Sequence, residues 1–181
     1  MGRRAHRTLL LAVPLVAACG SGAGDAPIVR GRGLRPASLT VAEQAAAYGA
    51  AIQAAFDTGP ALTLMLSPTL LPRAAGLSGG DALPSGVERA LRDGGLIQGT
   101  CQAVRRAESR TPVCPARSAG YVVYLSPILS RAGDSLQLYL HAERYDTAAA
   151  EIHPAFRFES AYQLVRAEGS WRVAREGRVP Q

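Results

Sequence analysis

From Leu96 onward apolar residues recur at every second position almost to the end of the chain. A chain with that pattern folds into strands with two unlike faces, because successive side chains of a strand point to opposite sides. The segment SLQLYLHAERY sets Leu136, Leu138, Leu140 and Ala142 on one face and Gln137, Tyr139, His141 and Glu143 on the other. FRFESAYQLV repeats the alternation, with Phe156, Phe158, Ser160, Tyr162 and Leu164 opposite Arg157 and Glu159. RAEGS is a hairpin turn signal, and WRVAREGRV beyond it points Trp171 and Val173 inward. YVVYLSPIL is β-branched and aromatic on both faces, as suits a central strand covered on two sides, and LIQGTCQAV predicts a further strand.

Upstream the period is helical. TVAEQAAAYGAAIQAAFDTGP opens with Thr40 and Glu43 in capping-box spacing, carries Val41, Ala45, Tyr48, Ile52 and Phe56 on one face, and stops at Gly59 and Pro60. Leu62, Leu64 and Leu66 predict a short strand ended by Pro68, and a Gly/Pro-rich loop continues to Leu83. PSGVERALRDGG repeats the capping-box spacing at Ser85 and Glu88 and predicts a short helix. Helices first and strands afterwards define an α+β class. The expected architecture is an N-terminal amphipathic helix and a short second helix packed on a curved antiparallel sheet of about five to six strands. At 181 residues the chain has room for one such domain, placed at 40–181.

The remaining residues form a leader and a tether. MGRRAHR is a positively charged start, and TLLLAVPLVAA is an apolar run too short to span a hydrocarbon core but suited to an export signal. Val16, Ala17 and Ala18 are short side chains ahead of Cys19, so ordinary signal-peptide cleavage there is one reading of residues 1–18. LVAAC also resembles the lipobox of bacterial lipoproteins, with Val16 in place of the more usual leucine. That resemblance implies a Cys19 that is lipidated and becomes the mature N-terminus, carrying more than one acyl chain and therefore stably anchored. It implies an exported protein facing the periplasm or the cell exterior, and Gly20 rather than Asp after the cysteine favours the outer membrane where one exists. Residues 19–39 then form the lipidated cysteine and a flexible Gly/Pro-rich tether.

The formal charge of +6 invites a nucleic-acid reading until it is located. Arg3, Arg4 and Arg7 belong to the leader, and Arg30, Arg32 and Arg35 to the tether. From Thr40 onward 14 Arg face 13 Asp plus Glu, which leaves no field for steering onto a phosphate backbone. The chain has no lysine and no asparagine, and its excess of Ala, Gly, Arg and Pro reflects GC-rich coding rather than guanidinium chemistry.

Residues able to carry chemistry are few. With Cys19 assigned to the lipid, Cys101 and Cys114 are left as a pair, and an exported protein favours a disulfide between them. A metal or redox pair lacks C-x-x-C spacing and nearby histidines, and no metal or cofactor is expected. His141 shares a strand face with Glu143, and Glu159 lies on the same class of face in the next strand. If those faces meet inside the fold they form an acid/base pair; if they face water they are ordinary cross-strand polar contacts. Because Leu138 and Phe158 claim the core, the polar set is expected to face solvent. His153, before Pro154, is expected in a turn. No G-x-S-x-G is present, Ser67 and Ser126 sit in SP dipeptides, and LSGGD at 77–81 lacks a P-loop lysine. Tyr121, Tyr124, Tyr139, Tyr145 and Tyr162 are expected to pack on the sheet.

The element order, closing on G-x-W-R-V at Gly169–Val173 in RAEGSWRVAREGRV, resembles the nuclear-transport-factor-2-like (SnoaL-like) fold over about 140 residues, and cystatin-like sheets fit it nearly as well. The resemblance implies a cone-shaped sheet closed by the first helix around an apolar pocket. Such folds host enzymes, ligand binders and interaction modules alike. The functional expectation is a membrane-anchored envelope lipoprotein whose domain binds a small apolar ligand or an envelope protein. The alternatives are a small hydrolase or isomerase using the cone pocket, or a structural envelope accessory.

Overall fold

The computed structural model describes residues 34–56, 63–71, 81–101, 114, 119–131, 135–146 and 151–178, without the side chains of 131, 145, 146, 151–157 and 178. The expected leader, Cys19 and the tether as far as residue 33 lie outside the described residues, as do most of the loop after Pro68 and the interior of the Cys-bounded loop.

In chain order the elements are β1 (Arg35–Pro36), α1 (Val41–Phe56), β2 (Thr63–Leu66), α2 (Ser85–Asp93), β3 (Gly99–Thr100), β4 (Gly120–Leu125), β5 (Leu129–Arg131), β6 (Ser135–Asp146), β7 (Glu151–Ala167) and β8 (Ser170–Arg178).

The capping box of α1 forms as its spacing predicts: the Thr40 amide donates to Glu43 Oε2 at 3.0 Å and the Glu43 amide donates to Thr40 Oγ1 at 3.3 Å. Alanine, the strongest helix former, fills much of the remaining length of α1. Ala45, Tyr48 and Ile52 are buried on the expected face, and Val41 is the exception at 45% exposed. Standing in the first turn, Val41 rests its methyls beside Gly86 of α2 instead of reaching the sheet. The capping box expected at Ser85 and Glu88 does not form. Pro84 takes the N-cap position with no side-chain hydrogen bond, Ser85 is already helical, and Glu88 pairs with Arg92 one turn on. The fixed φ of proline presets that entry without a side-chain cap.

The α+β class holds, but the sheet is larger and more mixed than the sequence predicts. The described residues form eight strands rather than five to six, in the order β1-β5-β6-β4-β2-β3, with β7 on the other edge of β6 and β8 beyond β7. β3 lies within the strand expected at LIQGTCQAV but is only two residues long among the described residues, and β1, also two residues, is too short for any periodicity to reveal. β2 pairs in parallel with β3 and with β4, so the sheet is not wholly antiparallel. A parallel pair needs a crossover, and α2 supplies the one between β2 and β3. α2 itself packs mainly on α1, where a methyl at Gly49 would press on Leu96 and Leu91. β1 pairs with β5, so the sheet begins inside the stretch expected to be tether.

β4 and β5 are one strand broken at Ser126 and Pro127. Both pair with the same edge of β6, β4 through Leu125–Leu140 and β5 through Leu129–Gln137, leaving one residue in excess across the break. Pro127 has no amide to donate; at the break the Ser126 amide donates to the Tyr139 carbonyl at 2.9 Å, and the Tyr139 amide donates to Ser126 Oγ, also at 2.9 Å. Pro154 also falls at an irregularity of the sheet. The turn expected at His153 and Pro154 is absent: β7 runs through them, pairing Arg144 with His153 and Glu143 with Arg157, so that Pro154 falls in the surplus of a bulge. Glu168 and Gly169 form the two-residue β7–β8 turn with φ of 52° and 80°, the left-handed pair such a hairpin requires.

One face of the sheet meets the helices. Leu64, Leu66, Val123, Leu125, Leu138, Leu140 and Leu164 pack there against Tyr48, Ile52, Val87 and Leu91, and large side chains fill the described interior. Phe56, Tyr121 and Phe158 close it with ring centroids 5.5–6.2 Å apart. Tyr48 donates its hydroxyl to the Ser126 carbonyl at 2.8 Å, and burial raises its pKa well above the usual phenol value.

Candidate functional site

The opposite face carries the candidate residues. All four residues of β2 are buried, and Met65, pointing away from the helices, forms a second small core with Cys101 and Val122. Cys114 and Tyr124 pack against that cluster, and Cys101 and Cys114 are joined by a disulfide with Cα atoms 4.2 Å apart. The sequence expectation of a bridge between these two cysteines and the geometry agree.

Two rows of residues cross the sheet beside this cluster. In one, Val122, Glu143 and Arg157 are neighbours across β4, β6 and β7; in the next, Tyr124, His141 and Glu159 are. The three sequence candidates His141, Glu143 and Glu159 therefore lie on one face, as the alternation of β6 and β7 requires. The structure links two of them directly. His141 Nε2 lies 3.0 Å from Glu143 Oε1, while Tyr124 donates its hydroxyl to Glu143 Oε2 at 3.1 Å. The rings of Tyr124 and His141 tilt against each other at 5.5 Å.

The solvent-facing expectation for this polar set is overturned. The His141 and Glu143 side chains are only 18% and 21% exposed, and Gln137 and Tyr139 of the same strand face are buried. Alternation identifies which residues share a face, but not whether anything covers that face, and here the nominally polar side of β6 is shielded as well. Burial, followed by the nearby Glu143 charge and the hydrogen bond to it, pushes the Tyr124 phenol far above its usual range, so Tyr124 remains a donor.

Chemically the arrangement is a carboxylate held between two donors. If His141 gives its Nε2–H to Glu143, Nδ1 keeps its lone pair as an acceptor; that atom is buried and makes no hydrogen bond to the described residues. Tyr124 is the member that sequence reasoning missed as a site residue. The available signal is its place in YVVYLSPIL, which predicts a strand covered on both faces, but the register against His141 is not a local property.

His153 lies in β7 opposite Arg144, away from this cluster in register, and its side chain lies outside the described residues. Cys19 also lies outside them. Among the described residues no three His, Cys, Asp or Glu side chains converge to hold a metal ion, and no helix is long and apolar enough to cross a membrane. Comparison with protein-family models, with curated proteins and with solved structures yields no match for this chain.

Proposed function

We propose that the chain is an exported lipoprotein, anchored to the envelope membrane through acylated Cys19 and presenting its α+β domain as a binding or interaction module. The observation that supports it most is the cysteine arithmetic. Three cysteines are present, Cys101 and Cys114 pair with each other, and the remaining one stands directly after an export-type leader. A disulfide at that pair suits an oxidising compartment, and acylation explains the odd cysteine without leaving a reactive thiol.

The test is the intact mass of the mature protein extracted in detergent. The expected result is an N-terminus at Cys19 carrying acyl mass, with two hydrogens lost at Cys101 and Cys114. A free, unmodified Cys19 overturns the anchor and favours a secreted domain with a diffusible ligand. Under the anchor reading Cys19→Ala releases the protein from the membrane or leaves it unprocessed.

A second reading, a small nuclear-transport-factor-2-like hydrolase or isomerase, is favoured by one observation, the shielded contact of His141 with Glu143. In that reading His141 Nδ1 is the proton acceptor and Glu143 orients the imidazole.

A further inference from the structure

The register fixes where the chain enters the sheet. Arg35 of β1 lies beside Ser130 and Ser130 beside Leu136, so the entry is at the end where β5 finishes and β6 begins. Ser135 neighbours Val165 and Val165 neighbours Arg172, close to the Glu168–Gly169 turn. The ion pair of Arg166 with Glu43 brings the first turn of α1 to the same end. Arg35, Arg166 and Arg172 are exposed there, and Arg131 ends β5. Counting Arg30 and Arg32, which precede Arg35 in the chain, six arginines stand against Glu43, Asp134 and Glu168. The far part of β6 and β7, from His141 to Glu159, has the reverse balance: Glu143, Asp146, Glu151 and Glu159 against Arg144 and Arg157. Along its strands the sheet is thus basic where the chain enters and acidic beyond.

Chain length points the same way. From Cys19 to Leu34 there are fifteen residue steps, a reach of about 50 Å at full extension. β6 runs from the entry end at Ser135 to the far end at Asp146, about 37 Å. With the far end on the membrane, the linking residues must span most of their full length, at a large cost in chain entropy. With the entry end on it they need not.

We propose that the entry end of the sheet is a contact surface for the anionic phospholipid headgroups of the membrane that holds Cys19, and that this contact turns the Tyr124–His141–Glu159 row away from the bilayer. The proposal rests on the lipid-anchor reading. Guanidinium groups match phosphate geometry, and the surface ion pairs of Arg166 with Glu43 and of Arg172 with Glu168 are weak enough to share their donors with it. Anchoring keeps the domain within reach of the headgroups, so contacts too weak to hold a free protein suffice. His141 lies six positions along β6 from Ser135, about 20 Å from the contact and beyond the headgroup layer.

Trp171, the only tryptophan of the chain, neighbours Arg166 at the entry end and serves as the reporter. The mature chain extracted in detergent is placed in phosphatidylcholine vesicles with or without about 30 % phosphatidylglycerol, each carrying a trace of lipid with a nitroxide on its headgroup. Quenching of Trp171 is expected to be at least about twofold stronger in the anionic vesicles. The excess disappears in about 0.5 M salt and falls by about half or more in Arg35→Gln with Arg172→Gln. A reporter moved to the far end, Tyr145→Trp with Trp171→Phe, is quenched less than Trp171 in the same vesicles. Flotation with the neutral vesicles tests the anchor separately. A chain that does not float with them overturns the anchor and this orientation with it. A chain that floats, but whose Trp171 is quenched equally in the two lipids or less than the far-end reporter, overturns the orientation alone.

Discussion

At Gly120 the absence of a side chain sets the distance between two strands. A methyl there would run into the Thr63 carbonyl of the neighbouring parallel strand, and backbone on both sides leaves nothing flexible to move. Gly120→Ala is therefore expected to cost about 3 kcal/mol or more, in the range of overpacked cores, and to show as a lowered urea midpoint. A change of under about 1 kcal/mol would mean that β2 and β4 separate easily. Glu168 is the reverse case: it holds a left-handed φ with a full side chain, accompanied by a hydrogen bond from Arg172 at 2.7 Å.

α1 is tied to the sheet by more than its apolar face. Glu43, the second member of the capping box, also accepts from Arg166 of β7 at 2.6 Å, and the Arg166 guanidinium lies 5.0 Å from the centre of the Trp171 ring. The Thr40 amide, then Arg166, lower the Glu43 pKa below its ordinary 4.5. A carboxyl whose folded pKa is depressed stabilises the fold above its unfolded pKa, and that contribution disappears as pH falls through the folded value. Helix stability should thus decline below about pH 4.5, and Glu43→Gln should remove this part of the acid sensitivity in a denaturation series monitored by circular dichroism. Because the pair of Glu43 with Arg166 lies at the surface, salt should weaken it.

At the level of the whole molecule the bridge joins Cys101 to Cys114, 13 positions apart in the chain. Reduction, or Cys101→Ser with Cys114→Ser, is expected to cost about 3 kcal/mol by the loop-entropy estimate, lowering the melting temperature by roughly 10 °C for a domain of this size. A melting temperature unchanged by reductant would mean that the bridge constrains nothing the fold needs. If the lipid-anchor reading holds, losses at the anchor and at the bridge are separable: Cys19→Ala changes where the protein resides without changing its melting, and the cysteine pair does the converse.

What the sequence determined by itself is local. Alternation in β6 and β7 decided which residues share a face, and the Thr40–Glu43 spacing decided where α1 begins, because both depend on backbone geometry and hydrogen bonds within a few residues. Counting cysteines pointed to Cys101 with Cys114 once Cys19 was set aside as the expected lipid anchor, and the two are bridged. Tertiary structure alone decided the rest. That β2 lies parallel to β4, that Arg35 and Pro36 become a strand, and that Pro154 is absorbed in a bulge all depend on a partner distant in sequence. The polar face of β6 is the clearest instance. Its pattern reads as solvent-facing, yet His141 and Glu143 are shielded and Tyr124 completes their contacts from another strand. A strand's sequence records which side chains are polar; the covering of a face, and thus the chemistry of those side chains, is set by what the rest of the chain packs against it.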